Sequence, residues 1–136
     1  MGKPDSFVDF SFDFKGRTAL VTGGASGIGR GVALAFAKAG AQVVASDIAV
    51  AGGEDTARQI VEAGGKAIFV RADVAVAVEV EALVANAVTA YGRIDFAFNN
   101  AGVELENQRL ADSDEDLFDR MMAINVKGVW LCMKHE

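Results

Sequence analysis

Cysteine and histidine are almost missing from this 136-residue chain. Cys132 is the single cysteine, so no internal disulfide and no cysteine metal cluster can form. A lone cysteine on a helix is more often a small core hydrophobe than a nucleophile. His135 is the single histidine and sits at the chain end, so histidine catalysis and histidine metal binding lack a partner set. Positive charge is also scarce. Thirteen Lys and Arg face nineteen Asp and Glu, for a formal net charge of -6. No basic run or clustered basic face is present to draw nucleic acid, and no basic amphipathic helix to draw a membrane surface. No long uncharged apolar run suggests a membrane span, and the first residues lack the apolar core of a secretory signal. These absences point to a reducing, cytoplasmic compartment, with neither nucleic acid nor membrane as partner.

What is present is an ordinary globular balance, 51% hydrophobic and 24% charged. A chain of this length makes one domain and buries roughly two-thirds of its unfolded surface. Residues 1–13 stand apart as an arm: Val8, Phe10, Phe12 and Phe14 alternate with Asp9, Ser11 and Asp13. That period of two marks a half-buried extended segment. It lies over an apolar groove of its own domain or packs on a neighbouring subunit.

Beyond the arm the chain alternates strand and helix, without internal repeat or low-complexity linker. Strands are expected at Thr18–Thr22, Gln42–Asp47, Lys66–Arg71 and Ile94–Phe98. A helix over Gly27–Ala39 carries Ile28, Val32, Ala35, Phe36 and Ala39 on one stripe, closed by Gly40. Glu54–Ala63 reads as helix up to Gly64-Gly65. Val76–Tyr91 turns Val80, Leu83, Val84, Ala87 and Val88 inward, closed by Gly92. Asp114–Lys134 reads as one long helix, with Ser113-x-x-Asp116 as its capping box. Alternation of this kind builds a parallel sheet with helices on both faces, and right-handed crossovers give the order 3-2-1-4. The expected fold is α/β, a Rossmann-type doubly wound parallel sheet: its first half plus the following long helix.

Between the first strand and first helix lies Thr22-Gly23-Gly24-Ala25-Ser26-Gly27-Ile28-Gly29. Strand, glycine turn, helix is the context of a dinucleotide site. Glycines let the backbone turn tightly and approach a pyrophosphate, while the helix N-terminus offers unpaired N–H groups and its positive dipole end. The spacing is G-x-x-x-G-x-G, and no Lys follows, which excludes the nucleoside triphosphate loop. A plain strand-to-helix turn is the alternative.

Asp47 ends the second strand, eighteen positions after Gly29. An acid there accepts hydrogen bonds from the adenosine ribose and repels a 2′-phosphate, which favours NAD over NADP; otherwise it is a solvated turn residue before Ile48. Asp73-Val74 follows the third strand, placed to meet an adenine amino group or to cap the next helix. Asn99-Asn100-Ala101-Gly102 follows the fourth strand at the same edge. Its small residues would let the backbone pass under a ligand, its amides could tie loops together, and read alone it is any Asn/Gly turn. Asn125 and Gly128 are poor helix residues inside an otherwise consistent helix. Such a violation marks a function or a kink, unless the Asn is merely exposed.

These motifs occur in order: Thr22-Gly23-x-x-x-Gly27-Ile28-Gly29, Asp47, Asp73-Val74, Asn99-Asn100-Ala101-Gly102 and Met122-Ala123-Ile124-Asn125-Val126-Lys127-Gly128. The series resembles the short-chain dehydrogenase/reductase family, from about Phe14 to the C-terminus. The resemblance implies that Gly23, Ser26, Gly27, Ile28 and Gly29 hold the pyrophosphate and that Asp47, beside Ile48, reads the ribose. Asp73 and Val74 would flank adenine; Asn99, Ala101 and Gly102 would line the cofactor site. Asn125 would be the catalytic Asn, which bends its helix and holds a water in a proton relay. The family's NADP-favouring arginine commonly sits at the position of Ser26, so NAD is the expected cofactor. The family's Ser and Tyr-x-x-x-Lys are not matched, for Tyr91 is the single Tyr and lacks a Lys four residues on. The implied protein is an NAD-dependent oxidoreductase transferring a hydride between a secondary alcohol and a ketone or aldehyde. It is present as its cofactor-binding part: residues 14–136 would be an incomplete NAD-binding domain, inactive alone. The implied partners are a small alcohol or carbonyl substrate and a second copy met through the last helix. A non-catalytic dinucleotide-binding module and an assembly half-domain are the alternatives.

Overall fold

A computed structural model describes residues 11–104 and 107–136. Four parallel strands, β1 (Thr18–Thr22), β2 (Gln42–Asp47), β3 (Lys66–Arg71) and β4 (Phe96–Asn99), form one sheet in the order β3-β2-β1-β4. This is the expected Rossmann-like α/β order. Thr18 pairs with Gln42 and Thr22 with Ser46; Ala19 pairs with Phe96 and Thr22 with Asn99. All four strands therefore end at one edge, where β1 and β4 diverge in chain order. Every residue of β1 is buried, because helices cover both faces of the sheet.

On one face lie α1 (Gly27–Lys38) and α2 (Val50–Glu62). They pack Ala33 and Ile60 on Val21 and Val43, with Phe36 and Phe98 beside them. On the other face lies α3 (Ala77–Tyr91), whose Leu83 and Ala87 pack on Leu20 and Val44. A 3₁₀ turn (Leu110–Asp112) leads into α4 (Glu115–Met122), a π-helical segment (Ala123–Gly128) and α5 (Val129–His135). Leu131 and Cys132 of α5 join Val74 and Val80 in a third apolar cluster.

Several expectations need correction. The buried side of α1 is Gly29 and Ala33, not a stripe through Ile28 and Ala35; both of those are exposed. Helix α2 starts four residues earlier than expected, through Gly52 and Gly53, because Gly53 lies against the Phe69 ring where a Cβ would not fit. Val88 faces solvent. Strand β4 is Phe96–Asn99 rather than Ile94–Phe98. The cap before α4 is Asp114, whose carboxylate accepts from the Asp116 and Leu117 amides, not a Ser113 box. The long last helix is also not regular: its middle is the π segment.

Of the arm, Val8 and Phe10 lie outside the described residues. The Phe14 amide bonds the Ala39 carbonyl at 2.7 Å. The Phe14 ring packs on Phe36 and Phe96, and Phe12 stacks on Phe14. The alternation thus puts both described phenylalanines on one side. No helix among the described residues is long and apolar enough to cross a membrane.

Candidate functional site

At the carboxyl edge of the sheet a cleft of about 560 Å³ opens between the glycine loop, the ends of β2 and β3, the loop after β4 and the π segment. Eleven of the twelve residues expected to hold a cofactor line it: Gly23, Ser26, Gly27, Ile28, Gly29, Asp47, Ile48, Asp73, Val74, Ala101 and Gly102. The exception is Asn99. Its Nδ2 donates to Glu136 at 3.0 Å, and its Oδ1 is buried without a partner among the described residues. A second cavity, lined by Lys15, Lys38 and Lys66, sits at the opposite edge, among the C-terminal ends of α1 and α2.

Helix geometry leaves the first amides of α1 without carbonyl partners inside the helix. Ser26 precedes them in extended backbone, and its hydroxyl caps none of them. Gly27 has φ +51°, and a Cβ there would meet nothing within 4 Å. Only glycine takes that conformation readily, and its open side faces the cleft. Ile28 is 73% exposed at the mouth, an apolar surface open to solvent. An anion next to these amides would meet unpaired donors and the positive end of the helix dipole.

Asp47 serves the loop directly. One carboxylate oxygen accepts from the Ala25 amide and the other from Ala49, both at 3.0 Å. An ionised carboxylate offers about four lone-pair sites, so two remain for ribose hydroxyls. The Gly24 amide bonds the Ser46 carbonyl at 2.9 Å, tying the loop to β2 again.

Asp73 is not a helix cap. It accepts from the Ala75 amide at 2.9 Å, an Asx-type turn, while Val76 occupies the cap position of α3. Glu79 reaches back to the Asp73 amide at 2.7 Å. That bond first, and Arg71 second, hold the Glu79 carboxyl below its ordinary range.

Asn100, rather than Asn99, ties the switch point together. Its Nδ2 donates to the Thr22 carbonyl at 3.1 Å, and the amides of Asn100 and Ala101 donate to the Thr22 hydroxyl at 3.0 and 3.1 Å. The spacing Asn99-Asn100 signalled an amide here but not which of the two faced inward.

Asn125 is the clearest reading of a local anomaly. Its Oδ1 accepts from the Val103 amide at 2.8 Å, and its Nδ2 donates to the Val103 carbonyl at 2.7 Å. One side chain thus completes both polar groups of a loop residue that has no strand partner. Asn125 sits within the π segment, whose widened turn brings this helix to the cleft, with Ala123 and Ile124 on the wall. Gly128 lies where a Cβ would meet the Val74 side chain at 2.7 Å. Cys132 is buried, and burial first, then the Glu136 carboxylate, pushes its thiol up to about 11. It is inert at neutral pH. No cluster of metal-ligating side chains occurs among the described residues.

Comparison with known proteins gives a consistent result. The family model described as short chain dehydrogenase matches residues 17–135. The chain is 41% identical over 124 residues to the 2,5-dichloro-2,5-cyclohexadiene-1,4-diol dehydrogenase of Sphingobium indicum, covering 91% of this chain and 48% of that protein. It superposes with TM-score 0.87 and 37% identity on a short-chain type dehydrogenase/reductase from Mycobacterium marinum, over 92% of this chain and 50% of the other. A Burkholderia phymatum short chain dehydrogenase/reductase in complex with NAD matches equally well, TM-score 0.87 at 33% identity, over 91% and 44%. The chain thus spans about half the length of the relatives it matches.

Proposed function

The chain belongs to the short chain dehydrogenase family, and from that membership we propose that the cleft binds NAD, adenosine half first, for an alcohol–carbonyl oxidoreductase. The observation that carries this reading is the convergence of the α1 amides, Gly27 and Asp47 on one cleft at the sheet's carboxyl edge. The donor set suits the ligand: uncapped amides for a pyrophosphate, carboxylate lone pairs for ribose hydroxyls, and Ile48 and Val74 as apolar walls for a base. Bound there, a nicotinamide dinucleotide would supply hydride transfer. The chain's own residues bind and orient. Asp47 would hold the ribose hydroxyls and repel a 2′-phosphate, and Ser26 presents no cation to offset that repulsion. Asn125 would keep the 101–103 loop shaped under the cofactor and stand where a water could be held. The substrate is a small alcohol or carbonyl compound. The single, buried Cys132 fits a reducing cytoplasm.

Titration calorimetry with NAD and NADP, before and after Asp47→Ala, tests the assignment. NAD should bind the parent better than NADP, and the substitution should weaken NAD about tenfold or more while narrowing the ratio. This figure follows from losing hydrogen bonds worth about 1–1.5 kcal/mol or more. An unchanged ratio would remove Asp47 from the site.

A further inference from the structure

The glycine loop is held from behind by an arrangement that sequence spacing does not reveal. Arg30, the first residue after the loop, turns away from the cleft toward α2. Its Nη2 donates to the Ala25 carbonyl at 2.7 Å and to the Gly52 carbonyl at 3.0 Å, and its Nε donates to the Thr56 hydroxyl at 2.9 Å. Asp55 stands 3.3 Å from the same guanidinium. The Thr56 hydroxyl, fully buried, in turn donates a hydrogen bond to the Gly24 carbonyl at 2.8 Å. Ala25 itself is buried, and Gly52 lies so close that a Cβ there would sit 2.9 Å from the Ala25 oxygen.

Three consecutive polar groups of the loop are thereby fixed, the two carbonyls among them from the side of α2. The Gly24 carbonyl is held by Thr56, the Ala25 amide by Asp47 and the Ala25 carbonyl by Arg30. The next residues in the chain, Ser26, Gly27 and Ile28, line the cleft. The Ala25 carbonyl shares one stiff peptide plane with the Ser26 amide, so holding that carbonyl sets where the Ser26 amide points and where the helix amides begin. A planar guanidinium can meet two carbonyls and a hydroxyl at once; an ammonium cannot reproduce that fork.

We propose that Arg30, braced by Thr56 on α2, is a positioning residue that pre-sets the loop amides for a pyrophosphate. It acts through the loop and not on the ligand. The ligand part of this inference rests on the dinucleotide reading above; the loop part does not. The predicted selectivity follows: weakening the brace costs affinity for ligands with a diphosphate and spares those without one.

The test uses Arg30→Lys and Thr56→Val, with two measurements. The first is amide hydrogen exchange in the ligand-free protein. The Gly24 and Ala25 amides should exchange at least tenfold faster in both variants, while the β1 and β3 amides keep their rates. Unchanged loop protection, or a uniform increase everywhere, overturns the proposal. The second is calorimetry with ADP and with adenosine. ADP should weaken about tenfold in both variants and adenosine less than twofold. Equal losses for the two ligands overturn it. So does a Thr56→Val protein that binds ADP as the parent does while Arg30→Lys does not, because Arg30 would then act on phosphate itself. If the parent binds no ADP, the dinucleotide reading falls, and the exchange measurement still decides the brace.

Discussion

Gly29→Ala is the sharpest structural perturbation of the loop, and Gly31→Ala two residues on is its internal control. A Cβ at position 29 would lie 1.9 Å from the Gly23 carbonyl oxygen and 2.7 Å from both the Gly23 carbonyl carbon and Asn100 Nδ2. The oxygen would have to retreat by more than an ångström. It belongs to backbone, and Asn100 pins the same turn through the Thr22 carbonyl. Relief therefore means separating α1 from β1 or breaking the Asn100 contacts. The cost is at the upper end for overpacking, about 3 kcal/mol. For a domain of this size that is roughly a 10 °C fall in Tm. At Gly31 a Cβ would meet nothing within 4 Å, on the exposed side of the same helix. There alanine should stabilise by about 0.5–1 kcal/mol, since glycine is a poor interior helix residue. Urea unfolding followed by far-ultraviolet circular dichroism measures both. A Gly29→Ala protein that fails to fold beside a folded Gly31→Ala is the extreme of the expected result. A loss below about 1 kcal/mol at position 29, or equal losses at both, would refute the argument that loop and helix are packed backbone to backbone.

Asn125→Ala leaves the Val103 amide and carbonyl without their partner, which should cost about 1–3 kcal/mol in urea unfolding. Asn125→Asp retains an acceptor for the amide but no donor for the carbonyl, and should fall between the two; indistinguishable stability of all three would mean the 101–103 loop is held otherwise. Asp95 carries the pH dependence at the opposite edge. Its carboxylate accepts from the Thr18 amide and then from Arg17 and Arg93, which lower its pKa below the ordinary value of 3.8. A depressed folded pKa contributes stability that is present above the unfolded value and is lost as pH falls through the folded one. Asp95→Asn should therefore flatten the loss of stability below about pH 4, and parallel pH profiles would contradict that. We also expect the protein to self-associate through its last helix, where Phe118, Met122, Val126, Trp130 and Met133 are all exposed. Trp130→Glu with Met133→Glu should shift sedimentation toward monomer; a parent already monomeric at low micromolar concentration would defeat the expectation.

Strands β1, β2 and β3 were legible to the residue, because strands covered on both faces read as short apolar runs cut by glycine and charge. The glycine loop was legible for the same reason it matters: few contexts require Gly27 and Gly29 between a strand and a helix. What failed to show was set by tertiary contact. Ile28 reads as a core residue by periodicity, yet it stands at the cleft mouth. Gly52 and Gly53 fall outside the expected Glu54–Ala63 helix, yet they lie in the first turn of α2, where only glycine fits against Ala25 and Phe69. Asn125 was visible as a misfit, but its bidentate hold on Val103 was not, because that loop lies twenty-two residues away. The Arg30–Thr56 brace had no sequence signal at all. Arginine and threonine are ordinary helix-surface residues until α1 and α2 are laid side by side.

The central claim is that the carboxyl-edge cleft is a dinucleotide site, and mapping amide chemical shifts during titration with NAD tests it most directly. The account predicts saturable shifts concentrated at Gly23–Gly29, Asp47–Ile48, Asp73–Val74 and Asn100–Val103. Shifts centred instead on the cavity of Lys15, Lys38 and Lys66, or no saturable shifts at millimolar NAD, would contradict it.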